Sequence, residues 1–373
     1  MKSRKMIQRV VAMLLACSLV IGMTGCKGGN NSTDERKDAE SIKQENQAVE
    51  SADNQTERNE ETKNEKKTSY PLTVTTYDSE GNEIKTVYEK APSKVLAVYQ
   101  GSIETMLALG LEEHMVATAG LDNEVPDEQK ATFSKVKYLD EFTPSLETAT
   151  MLEPDMIFSW GSLFGEKTLG SVTDWIEKGT NIYMNTNTHP KQNNKVYNKT
   201  LENEYTDILN IGKIFDVQDR AEMIVNRMKD TISEVKEKTN SIKEKPSVLV
   251  LESYDGTFTN YNASSLGGDM VTQLGGVLAN QDGSSLGKED VIAANPDVIF
   301  VVYMPYAGDD AEKVKQDKLD VILKDQAYAN LDAVKNKRVV PIMLSEMYAS
   351  ATRTQDGIET FAKGLYPDLT FDK

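Results

Sequence analysis

Cysteine and histidine are nearly absent from this sequence. Its 373 residues hold two of each, Cys17, Cys26, His114 and His189. Two cysteines confined to the first 26 positions leave no disulfide framework and no thiolate metal cluster. Two histidines cannot furnish a His-rich zinc or manganese centre, so no metal site is expected. Positive charge is short as well: 42 Lys and Arg stand against 59 Asp and Glu, for a net charge of −17. A nucleic-acid binder needs a basic face to displace phosphate counterions, and that class is excluded. No G-x-x-x-x-G-K-[ST] occurs, so any ATP hydrolysis belongs to a partner. What is present is 39% hydrophobic residues and a length that suits two domains.

The N-terminus carries an address. Lys2, Arg4, Lys5 and Arg9 precede an apolar run of 14, Val10 to Met23. That is long enough for a signal peptide and too short for a membrane span of about 20 residues. The run ends in Met23-Thr24-Gly25-Cys26, which resembles a bacterial lipobox and makes Cys26 the lipidated first residue of the mature chain. The alternative is cleavage at an ordinary small-residue site, leaving Cys26 free. Residues 27–69 have 8 basic and 11 acidic side chains and no aromatics. Such a stretch cannot bury enough surface to order itself and reads as a tether with a mean reach of about 35–40 Å. The chain is therefore expected at the outer face of the cytoplasmic membrane, held there by its lipid anchor alone. A tether of this length suits a thick-walled Gram-positive surface.

From residue 70 onward the pattern is α/β. Residues 70–90 alternate apolar and polar around Asp78-Ser-Glu-Gly-Asn82, as in a hairpin. Lys94–Val98 is a buried-type strand, followed by a helix from about Ser102 to Leu109 closed by Gly110. Glu147 then begins a helix that stops at Pro154 before the strand Asp155-Met-Ile-Phe158. The second half repeats this grammar: Ser247–Glu252 is a strand, and Glu289 begins a helix that stops at Pro296 before Asp297-Val-Ile-Phe300. The offset is 142 for both the glutamates and the prolines. Further strands are expected at Asn181–Met184 and Arg338–Leu344. Between the halves, Ala221, Ile224, Val225, Met228, Ile232 and Val235 form one stripe at helical spacing. The expected fold is two similar parallel-sheet α/β lobes joined by one long helix. A signal peptide occupies 1–25, Cys26 and the tether 26–69, a lobe with a leading β-hairpin 70–216, the helix 217–243, and the second lobe 244–373.

Several segments carry a resemblance: Pro92-Ser-Lys-Val-Leu-Ala-Val98, Glu104-Thr-Met-Leu-Ala-Leu-Gly-Leu111, Ser145–Ile157, Lys288–Phe300 and Arg353–Pro367. Together they resemble the iron-siderophore/cobalamin substrate-binding lipoproteins of ABC importers. That resemblance implies two α/β lobes on a helical backbone, a solute-binding protein working as a monomer with a permease dimer and its ATPase subunits. It implies no intrinsic cofactor, and a ferric chelate or corrinoid as ligand, with a cobamide or haem as alternatives. It also gives Glu147 and Glu289 a role, one acid on each lobe pairing with arginines of the permease. A two-fold partner suits such a pair.

Ligands of parallel α/β sheets gather at the carboxyl ends of strands. Tyr99, Trp160, Phe164, Tyr254, Tyr261, Tyr303, Tyr348 and Arg353 fall there and are the expected ligand-binding residues, an aromatic mouth for a large, partly apolar chelate. Arg353 is the only arginine among them, which favours a near-neutral hydroxamate or a cobamide over an anionic triscatecholate. Two readings of other classes stand beside this one. Gly283-Ser-Ser-Leu-Gly287 matches the nucleophile elbow of a surface hydrolase, although no buried strand precedes it and both histidines lie upstream. No catalytic residue is assigned on that basis. A surface adhesin or structural lipoprotein would need neither hinge nor cleft.

Overall fold

The computed structural model describes residues 67–189, 197–348 and 351–370. The signal segment, Cys26 and almost the whole tether lie outside them.

Strands β1 (Leu72–Tyr77) and β2 (Glu83–Tyr88) form the expected antiparallel hairpin. Its turn is held by Asp78, whose carboxylate accepts the backbone N–H groups of Glu80 and Asn82 at 2.9 and 2.8 Å. The hairpin docks on the first lobe through Thr76, whose hydroxyl accepts the Met184 N–H at 2.9 Å.

The first lobe contains β3 (Val95–Val98), α1 (Gln100–Ala108), β4 (Met115–Ala119), α2 (Asp127–Phe133), α3 (Leu146–Met151), β5 (Met156–Ser159), α4 (Val172–Glu177) and β6 (Asn181–Met184). Its four strands are all parallel, in the order β4-β3-β5-β6. Both faces are covered, which is why each strand reads as a continuous apolar run. Two antiparallel neighbours follow, α5 (Leu201–Ile214) and α6 (Gln218–Thr239). They approach so closely that a Cβ at Gly212 would collide with Ala221. The 22 residues of α6 make a rod of about 33 Å, and Ala221, Val225, Met228, Ile232 and Val235 are its buried stripe.

The second lobe contains β7 (Ser247–Tyr254), β8 (Thr257–Asn260), α7 (Leu266–Gln273), β9 (Val277–Leu278), β10 (Ser285–Leu286), α8 (Lys288–Ala294), β11 (Val298–Tyr303), α9 (Ala311–Leu323), α10 (Asp332–Lys335), β12 (Val339–Met343), α11 (Leu344–Met347) and α12 (Thr354–Leu365). Here the expected parallel sheet carries an antiparallel edge. Strands β9, β7, β11 and β12 pair in parallel, but β8 and β10 extend the edge antiparallel. The cause is Asp255-Gly256, whose φ values of 43° and 83° make the two-residue turn that sends the chain straight back.

The duplication seen in the sequence is structural. Asp155 accepts hydrogen bonds from Ser93 N, Ser93 Oγ and Lys94 N at 2.8–2.9 Å. Asp297 accepts from Ser247 N and Ser247 Oγ, both at 2.7 Å. Each Pro-Asp pair thus ties the start of one central strand to its neighbour in the same lobe. The inner sheet faces share a single core: Val95, Ala97, Met156 and Phe158 of one lobe join Val248, Val250, Phe300 and Val302 of the other, together with α5, α6 and α12. The outer faces form separate cores, one per lobe.

Candidate ligand cleft

The cleft begins with Tyr99, the residue between β3 and α1, held at φ 83°. Its N–H bonds Ala119 O at 2.9 Å, and Gly120 at φ 84° lies so near that a Cβ there would sit 2.9 Å from Phe142 O. This tight packing of β3 against the end of β4 fixes the tyrosine ring where β5 ends in Trp160. The two rings lie 4.0 Å apart between centroids, and Phe142 meets Tyr99 edge-on at 5.8 Å. Across the lobes, Trp160 reaches Tyr348 at 5.7 Å, and Tyr348 meets Tyr261 at 6.3 Å. Lys199 places its ammonium 3.7 Å from the centre of the Tyr348 ring, a cation–π contact. The result is one aromatic seam, Phe142–Tyr99–Trp160–Tyr348–Tyr261, crossing from lobe to lobe. The indole Nε1 of Trp160 is buried with no hydrogen-bond partner among the described residues.

Of the eight residues expected here, the structure brings Tyr99, Trp160, Tyr261 and Tyr348 together. Tyr303 stands half-buried at the end of β11, its hydroxyl pushed up by burial and by Glu346. Three fall elsewhere. Phe164 is buried in the outer core of the first lobe with Leu163, Leu169 and Trp175. Tyr254 is 59% exposed beside the β7–β8 turn and makes no ring contact with the seam. Arg353 is committed to a carboxylate. Its Nε and Nη2 donate to the two oxygens of Glu104 at 2.7 and 2.6 Å, and Nη2 also donates to Glu124 O. Glu104 is fully buried on α1, so this bidentate pair pins the first lobe to the turn before α12. Burial pushes the Glu104 carboxyl up while the guanidinium pulls it down.

A second buried acid grips the same turn. Glu204 on α5 accepts from Asn187 of the first lobe and from the backbone N–H of Ala351, a non-glycine residue at φ 48°. Sequence reasoning missed these glutamates because both sit in helices where acids are ordinarily solvent-facing. It also missed Asp122, Asn123 and Glu252. Asp122 lies just past β4, a strand whose small residues made it hard to see, and Glu252 accepts the Tyr261 hydroxyl at 2.7 Å. Ser285, the hydrolase candidate, is an exposed residue on the edge strand β10, while His114 and His189 both belong to the first lobe.

The buried acids make stability depend on pH. Burial pushes Asp207 and Glu346 up to about 7 and Asp122 up to about 6. The folded chain therefore holds protons that the unfolded chain, titrating near pH 4, has released. Stability from these groups is complete below about pH 4 and is lost as pH rises through 6–7. The melting temperature is expected to be about 3–8 °C higher at pH 5.5 than at pH 8. A higher melting point at pH 8 in thermal unfolding would contradict this.

Comparison with known proteins agrees with the two-lobe architecture. A family model described as periplasmic binding protein matches residues 95–343. The petrobactin-binding protein YclQ of Bacillus subtilis (strain 168) is 25% identical over 270 residues, covering 70% of this chain and 78% of that protein. The uncharacterized ABC transporter substrate-binding lipoprotein YvrC of the same organism is 25% identical over 306 residues, covering 80% and 87%. A crystal structure of a periplasmic binding protein from Veillonella parvula DSM 2008 superposes with a TM-score of 0.71 at 27% identity, covering 81% of this chain and 93% of its own. With a family model matched over residues 95–343 and a solved relative of the same two-lobe fold, this chain belongs to the periplasmic binding proteins.

Proposed function

We propose that the protein is the extracytoplasmic substrate-binding component of an ABC importer. It captures a ferric siderophore or a related iron complex between its lobes and delivers it to a permease dimer driven by separate ATPase subunits. Cys26 carries the lipid that holds it at the outer face of the membrane, and the tether lets the lobes reach both ligand and permease. Glu147 and Glu289 dock on the permease. The observation that carries this reading is the aromatic seam across the lobes, within a chain of this family. Stacked rings on both sides of a hinge offer a large, flat or partly apolar chelate extensive contact. One crossing helix and two buried acid clamps limit the hinge to a small adjustment, so ligand binding narrows the cleft and favours the docking-competent form.

Thermal unfolding of the full chain, purified in detergent, tests the reading against ferric hydroxamates, ferric catecholates, haem and cyanocobalamin. A ligand at 100 times its dissociation constant stabilises by about 2.7 kcal/mol, which for a fold of this size raises the melting temperature by about 4 °C. A shift with an iron chelate is the expected result. A shift with haem or cyanocobalamin alone would make the protein a haem or cobamide receptor of the same fold. No shift with any ligand would overturn the receptor reading and favour a structural surface lipoprotein.

A further inference from the structure

The seam is edged by acids, Asp122 and Glu252, that form no ion pair with another described residue. Asp122 is 4% exposed, and its backbone is firmly fixed. Its N–H donates to Gln100 Oε1 at 3.0 Å, and its carbonyl accepts Ala307 N–H of the other lobe at 3.0 Å. Its Oδ1 has no hydrogen-bond partner among the described residues, and neither does Oδ1 of the adjacent Asn123. The charge of Asp122 is felt at the hydroxyls of Tyr99 and of Tyr306 in the second lobe. Glu252, on β7, accepts the hydroxyl of Tyr261, the last ring of the seam, at 2.7 Å. Asp122, bonded to Ala307 of the second lobe, and Glu252, bonded to Tyr261, thus bring one carboxylate from each lobe to the seam. The cations nearby are engaged elsewhere: Arg353 chelates Glu104, and Lys199 covers the Tyr348 ring. A buried carboxylate with an unfilled acceptor and no counter-charge is costly unless a partner arrives.

We propose that Asp122, with Glu252 of the facing lobe, forms a cation-recognising subsite in the cleft, so that the preferred chelate carries a protonated amine. The inference rests on the receptor reading and narrows its substrate class. The ammonium donates to Asp122 Oδ1, and the aromatic seam covers the apolar body of the chelate. A triscatecholate complex, with three negative charges, meets carboxylates at the same place and is disfavoured.

Two ferric trihydroxamates separate the terms. Ferrioxamine B is linear with a free ammonium, and ferrioxamine E is cyclic and uncharged. Titration of the full chain, followed by tryptophan fluorescence, is expected to show ferrioxamine B bound about tenfold or more tightly than ferrioxamine E. Asp122→Asn should weaken ferrioxamine B by about tenfold and leave ferrioxamine E within about twofold. Glu252→Gln, which leaves the loop around Asp122 untouched, should shrink the same preference and guards against a folding defect in the first variant. Equal affinity for the two complexes, equal weakening of both by Asp122→Asn, or tight binding of a catecholate trianion would overturn the subsite alone. Failure to bind any chelate would overturn the receptor reading and the subsite with it.

Discussion

Arg353→Met is expected to destabilise the protein by about 3–5 kcal/mol, the range for removing one partner of a buried ion pair. The geometry places this pair in the costly class: both carboxylate oxygens of Glu104 are engaged at 2.6–2.7 Å, and the acid is fully buried. Loss of the guanidinium strands Glu104 without counter-charge and also releases Glu124 O, which accepts from Nη2. Urea unfolding at pH 7.5 measures the difference. The double variant Glu104→Gln with Arg353→Met should recover most of the loss, because a neutral pair in that space avoids the desolvation that the ions suffered. A single variant that costs less than about 1 kcal/mol would show that the pair does not hold the lobes together. The interest lies in the link from stability to motion. The pair joins α1 to the turn ahead of α12, and Glu204 holds the backbone of that turn from the other side, so weakening either clamp loosens the angle between the lobes.

That clamp also marks the limit of what the sequence discloses. Strands, helix stops and the repeat at offset 142 were readable because each depends on neighbours a few positions away: apolar runs for two-faced strands, proline after a helix, aspartate bonding the chain beside it. The hairpin at 70–90 was equally local. Tyr99, Trp160, Tyr261 and Tyr348, four of the eight residues expected at the cleft, lie together because strand ends in parallel sheets gather by topology. Arg353 and Glu104 are 249 positions apart, and nothing near either of them encodes the other. The arginine therefore looked available to a ligand when it is spent on the fold. Phe258 shows a second limit. An aromatic just after a strand would face the cleft if the chain crossed over, but the Asp255-Gly256 turn folds it back into β8, where it packs on Tyr328 at 6.3 Å. Asp122 was hidden for a third reason: the buried Oδ1 that sets it apart has no hydrogen-bond partner among the described residues, a property of what folds around it and not of its sequence neighbours.

Charge reversal at both Glu147 and Glu289 should abolish uptake while leaving the ligand site intact. Each acid lies in the first turn of its helix, α3 or α8, is exposed, and forms no ion pair with another described residue. Each also has an exposed apolar neighbour on the same helix, Met151 at 79% four positions on and Ile292 at 39% three positions on. An acid beside an apolar side chain, repeated on two lobes, suits a partner of two-fold symmetry that offers a cation and a small apolar patch at each contact. Opposing two like charges across such contacts costs several kcal/mol, so Glu147→Arg with Glu289→Arg should lower uptake of the iron-loaded chelate into cells by about a hundredfold or more. Affinity for the chelate should stay within about twofold, since neither residue touches the seam. The competing account is that these acids merely complement their helix dipoles, worth about 0.3–1 kcal/mol each. It predicts a melting temperature lower by about 1–3 °C and uptake almost unchanged. Measuring uptake, affinity and melting together separates the two accounts: docking moves the first alone, and a helix-end role moves only the last.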